Sequence, residues 1–230
     1  MRAAVAFCLM LCSCCVADEY FLHVFVNAHG FDYSCPERYF EGLSQYKDTG
    51  HAWIALEVCR TDGRHWRCEC GHTGEFGLRA PRYFDHLRAL SAQGEENPAR
   101  YLFTILSDGQ LEFGSGEHKP TLAVRFPLME RQFYRILRLF NPDGYDFFSW
   151  ALKGPNCVEF VRTCLACADI YVDCFEPLVL PSSFFWGDEQ IFLWKESSYA
   201  ALTVSTPERL EKALVELIEQ GRGDRFLCPS

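Results

Sequence analysis

The Asp62-Gly63 pair lies between two runs of strand-forming residues, and it constrains the fold more than any other feature of the chain. Asp-Gly tolerates the positive φ of a tight hairpin turn, so the flanking runs pair antiparallel and their alternation decides which side chains share a face. Upstream, His51 to Arg60 alternates Ile54, Leu56 and Val58 with Trp53, Ala55 and Glu57; downstream, a strand runs from His65 to about His72. Tyr20 to Val26 and Thr121 to Phe126 read as further strands. Ser107-Asp108-Gly109-Gln110, between Tyr101–Leu106 and Leu111–Gly114, repeats the hairpin signal.

Helical periodicity appears in Pro81 to Gln93 and Leu128 to Phe140, the second ended by Asn141-Pro142-Asp143-Gly144. Ser205-Thr206-Pro207-Glu208 opens another helix with a cap, a first-turn proline and a capping-box glutamate, followed by the apolar stripe Leu210, Ala213, Leu214, Leu217 and Ile218. Strands and helices together give an α+β pattern. Across 230 residues there is no repeat, low-complexity tract or linker, so residues 18–230 read as one domain, with the stretch from about 175 onward unassigned. The formal charge of -9 and the lack of a basic run exclude a general nucleic-acid binder, which needs clustered Lys and Arg against phosphate.

Residues 1–17 combine one arginine, an apolar stretch and small residues, the pattern of an export signal too short to span a membrane. Leu11-Cys12-Ser13-Cys14 is similar to a bacterial lipobox, in which Cys14 would be lipidated and anchor the chain to a membrane; Cys15-Val16-Ala17 offers an ordinary cleavage site instead. Either route gives an exported protein of the cell envelope, or a secreted one. Thirteen cysteines fit an oxidising compartment, and cleavage after Ala17 leaves an even number for disulfides once one free thiol is set aside.

Asn156-Cys157-Val158-Glu159-Phe160-Val161 follows a break at Pro155 and opens a helix to about Asp169, with Asn156 as a favoured cap. Partial positive charge and unpaired N–H groups at a helix start lower a thiol pKa and hold an oxyanion, which suits Cys157 to nucleophilic work. Cys157 also heads the stripe Cys157, Phe160, Val161, Cys164, Leu165, Ala168, so it equally fits a core cysteine. A thiol nucleophile needs a base, usually histidine. With Asp62-Gly63 as a two-residue turn, Thr61 pairs with Arg64, His51 falls opposite Gly74, and His72 lies one diagonal step from His51 on the same face.

These residues resemble the circularly permuted papain-like cysteine enzymes, which include NlpC-type peptidase relatives and the lecithin retinol acyltransferase family. Gly50-His51-Ala52-Trp53-Ile54-Ala55-Leu56 precedes Tyr145 and Asn156-Cys157-Val158-Glu159-Phe160-Val161 in the permuted order, and the likeness covers roughly Tyr20 to Val172. The resemblance implies Cys157 as nucleophile, His51 as base and acid, and a third polar residue orienting the imidazole: His72, or else Glu69, Glu75 or a group outside the hairpin. It implies a peptide or acyl substrate and no cofactor. Hydrolysis of a peptide or cell-wall stem-peptide amide is the expected reaction, with lipid acyl transfer as the enzymatic alternative. A binding or structural envelope protein on the same fold is the non-catalytic alternative, and there Phe184-Phe185-Trp186 would be cleft wall, partner surface or core. Cys68-Glu69-Cys70-Gly71-His72 and Cys164-Leu165-Ala166-Cys167 carry ligands for a zinc site, against which stand the helical position of the second pair and the preference of exported chains for disulfides.

Overall fold

The computed structural model describes residues 17–36, 38–39, 49–74, 80–141 and 143–226, with the side chains of 80–84 left aside. Cys14, the export signal, Glu75 and Cys228 lie outside the described residues. The elements in chain order are strands β1 (Glu19–Asn27), β2 (His51–Cys59) and β3 (His65–Gly74), helices α1 (Ala80–Ala92) and α2 (Arg100–Phe103), strands β4 (Gly109–Phe113) and β5 (Leu122–Leu128), and helices α3 (Glu130–Leu137) and α4 (Cys157–Cys167). Strands β6 (Phe175–Val179), β7 (Ser183–Trp186), β8 (Glu189–Phe192) and β9 (Ala201–Ser205), helix α5 (Pro207–Glu219) and strand β10 (Asp224–Arg225) follow. The fold is α+β, built on a six-stranded antiparallel sheet in the order β10-β5-β1-β2-β3-β4.

Strand alternation splits this sheet into two faces. Leu22, Val24 and Val26 of β1, Ala52, Ile54 and Leu56 of β2, and Leu122, Val124 and Phe126 of β5 point one way and meet α3, α4 and α5 in the main core. Helix α4 contributes Phe160, Val161, Cys164 and Leu165, all fully buried. Each such aliphatic or aromatic side chain stabilises the fold by about 1.5–3 kcal/mol. On the other face Phe25, Trp53, Ala55 and Ala123 form a smaller cluster with Phe226. The segment after 175 contributes to two cores: α5 buries Leu210, Leu214 and Leu217 under the sheet, while Leu178, Leu180, Ile191, Leu193, Leu202 and Val204 join Tyr33, Tyr39 and Trp150 in a second core.

Two expected pairings are corrected. The turn after β2 has three residues, not two: Gly63 N donates to Arg60 O at 2.9 Å, Arg60 N donates to Arg64 O at 2.8 Å, and Gly63 sits at φ +82°. That is a type I turn closed by a left-handed glycine. It pairs Cys59 with His65 and Trp53 with Gly71, one residue away from the expected register. The second Asp-Gly signal does not join two neighbouring strands. Residues 100–103 are helical, Leu106 bridges to Trp150, and β4 pairs with β3, Leu111 opposite His72 and Gly109 opposite Gly74.

Candidate active site

Cys157 is the first residue of α4, and Asn156 makes it so. The Asn156 side chain is buried; its Oδ1 accepts from Val158 N at 3.0 Å, Glu159 N at 3.1 Å and Ser205 Oγ at 3.0 Å, while Nδ2 donates to Leu152 O at 3.2 Å. The cap therefore satisfies two helix-start donors and ties α4 to the end of β9. The backbone N–H groups of Ala52, Val158 and Cys157 itself face the Cys157 sulfur. Burial pushes this thiol up to about 11, and those N–H groups pull it partway back, so it is protonated at neutral pH.

The one-residue change of register separates the two histidines. Ala52 immediately precedes the β2–β3 ladder, which starts at Trp53 and Gly71; the same register carried one step further sets His72 across from Ala52, on the side of α4. His51 belongs to the other set. Its ring stacks on Trp53 with centroids 5.7 Å apart and on His118 at 4.9 Å, and its Nε2 lies 3.0 Å from where a Gly71 Cβ would be. His51 and His72 thus do not touch, contrary to the expected geometry. The cause is the extra turn residue, which reverses the parity of β3 relative to β2.

His72 is fully buried. Nε2 lies 3.1 Å from Phe147 O, which can only accept, so this nitrogen carries the proton and Nδ1 takes the Tyr145 hydroxyl at 3.2 Å. Burial holds its pKa below the usual histidine value, opposed by the carbonyls of Asn156, Phe147 and Ser149 and the Asp146 carboxylate. Of the other proposed third residues, Glu69 accepts from Trp53 Nε1 at 2.8 Å on the His51 side of the sheet, and Glu75 lies outside the described residues. Cys59, Cys68, Cys70, Cys157, Cys164, Cys167 and Cys174 are free thiols, with no disulfide joining any of these described residues. Cys70, Cys164 and Cys174 are buried in the main core as apolar side chains.

Above the thiol is a cavity of about 20 Å³, room for one water, lined by Tyr33, Thr49, Trp150, Ser205 and Pro207. Its cover is held by a residue whose role differs from the expected one. The helix cap is Thr206 and not Ser205; its Oγ1 accepts from Arg209 N at 3.2 Å, so Glu208 falls at the second helical position, one place too early for a capping box with Thr206. Its carboxylate instead accepts from His29 N at 3.1 Å, Phe31 N at 3.3 Å and Tyr33 Oη at 3.2 Å, pinning the segment after β1 over the site. Burial raises the Glu208 pKa against those bonds. Sequence reasoning found Ser205 and Glu208 as a helix signal and missed them as site residues; it gave no signal for His118 beside His51. Of the aromatic run, Phe184 and Trp186 pack on the second core and Phe185 points outward. No family model, curated protein or solved structure matches the chain.

Proposed function

We propose that the chain is an exported cysteine hydrolase of the permuted papain-like type, cleaving an amide in a peptide or cell-wall stem peptide. The observation that carries this is the placement of the Cys157 sulfur at the start of α4 among the N–H groups of Ala52, Cys157 and Val158. Thiolate attack on a carbonyl carbon would form the C–S bond and put charge on oxygen, where the Cys157 N–H stands ready to hold it. Collapse would expel the amine with a proton from the imidazole, and water would then release the acyl group. His51 is assigned as the base, carried one residue from Ala52, with His72 positioning the strand through Phe147 and Tyr145. The His51 ring lies on Trp53, and Gly50, just before β2, sits at φ +79°. The residues before Asp18 act as the export signal in this proposal, with Cys14 as its lipid site.

An iodoacetamide probe at pH 7–9 tests it. Selective modification of Cys157 that His51→Ala abolishes supports the assignment; loss in His72→Ala alone moves the base to His72; an inert Cys157 under all conditions removes the enzyme. A second reading, a non-catalytic envelope binding protein, is favoured by the 20 Å³ cavity and by the thiol pKa of about 11, which together describe a covered and protonated sulfur.

A further inference from the structure

The face of the sheet turned away from α4 carries a group of reactive side chains that the proposed hydrolysis does not use. Pairing sets Glu57 opposite Phe21 and Arg67, Cys59 opposite Glu19 and His65, and His23 opposite Ala55. Glu57 is the hub. Its Oε1 lies 3.0 Å from His65 Nε2 and 3.5 Å from Cys59 Sγ, and its Oε2 lies 2.6 Å from His23 Nε2. The ligand atoms of Glu57, Cys59 and His65 all fall within 4.8 Å of one another.

We propose that Glu57, Cys59 and His65 bind a zinc ion, with the fourth position open to water or to the Glu19 carboxylate across the ladder. With metal–sulfur bonds of about 2.3 Å and metal–nitrogen or –oxygen bonds of about 2.0–2.1 Å, a tetrahedral site has an O···S edge near 3.5 Å and an O···N edge near 3.3 Å. The described separations of 3.5 and 3.0 Å already lie close to these edges. One carboxylate and one thiolate balance a dication, and the nitrogen–sulfur–oxygen set suits zinc over calcium or magnesium, which take oxygen alone.

The support behind the ligands points the same way. His23 is 1% exposed and bonds through Nε2 to the Glu57 oxygen that faces away from Cys59, as outer partners of ligating carboxylates do. Its Nδ1 is buried without a hydrogen-bond partner, and its ring is packed by Phe25 and Phe226, which fixes Nε2 against Glu57. Arg67 stands 3.8 Å from the same oxygen, which leaves Oε1 alone for the metal. His65 is 53% exposed on its side chain, giving the ion a path in from solvent. A cysteine binds zinc as the thiolate, so binding at Cys59 releases the thiol proton and weakens as pH falls.

The test uses the reduced, metal-stripped full chain titrated with Co²⁺, then Zn²⁺. One equivalent of Co²⁺ should give the visible bands of a tetrahedral site and a thiolate-to-cobalt band in the near ultraviolet, both erased by Zn²⁺. Cys59→Ser should remove the thiolate band, and His65→Gln, at an exposed position, should weaken binding about 10–100-fold with the circular dichroism unchanged. Cys68→Ser, a thiol on the other face, should change neither. Absence of saturable binding in the unaltered chain, or a band that survives Cys59→Ser and is lost in Cys68→Ser, overturns the site. Neither result bears on Cys157.

Discussion

Along β2, Ala52, Ile54 and Leu56 are buried in the main core under α4, whereas Glu57 and Cys59, pointing the opposite way, stand among His23, His65 and Arg67. The same nine-residue strand thus serves two environments, one dry and one wet. On the dry side a thiol is driven toward its neutral form, as Cys157 shows. On the wet side a carboxylate is held charged: contacts with His65 and His23 lower the Glu57 pKa against the effect of its burial. Reactive groups on the two faces are therefore controlled by opposite means, exclusion of water in one case and ion pairing in the other.

Substitution on each face should separate these means. Phe160→Ala, which empties a fully buried ring site beneath the sheet, should cost about 3–5 kcal/mol in urea unfolding. Glu57→Ala, which strips the partner from buried His23, should cost about 1–3 kcal/mol. Equal losses would show that the two faces do not differ energetically. Asn156→Ala should cost about 0.5–2 kcal/mol, the range for a lost helix cap, and its loss should be largest in hydrogen exchange at Val158 and Glu159.

The cover over Cys157 offers a finer probe. Glu208→Gln removes the charge that gathers His29, Phe31 and Tyr33, and should speed Cys157 alkylation at pH 8 about tenfold, the change that accompanies each unit by which a thiol pKa falls. An unchanged rate would mean that the cover does not depend on this carboxylate. The smallest effect expected is on pH dependence. His72 has a lowered folded pKa, so the unfolded chain takes up its proton first as pH falls; its contribution to stability is whole above about 6.5, the unperturbed histidine value, and is lost below that. His72→Gln should flatten that part of the curve, as judged by urea midpoints between pH 7.5 and 5.

Alternation and turn residues made β1, β2, β3 and β5 legible in the sequence, and the Asn156 cap with its apolar stripe made α4 legible. The pairings were less so, because a turn of two residues and a turn of three share the Asp-Gly signal and differ only in whether Arg60 and Arg64 close the loop. The partner of β4 could not be read locally either: its ladder joins Leu111 to His72 across the intervening α1 and α2. Glu208 illustrates a third limit. A shift of one cap position converts a helix-start glutamate into a tie between α5 and the segment after β1, and only tertiary contacts reveal that. In the segment beyond 175, β6 pairs with β9 at long separation, which no local signal reveals, while the short β7–β8 hairpin between them was legible only as an aromatic run.

The three-residue turn at Thr61-Asp62-Gly63 also sets what lengths this hairpin can accept. Removing or adding a single residue there would exchange the two faces of β3, turning Cys68, Cys70 and His72 toward the wet side and Arg67 and Glu69 into the core. A change by two residues would keep every side chain on its own side. Length variation at this loop should therefore be tolerated in even steps, and an odd step only together with a compensating bulge elsewhere in the strand.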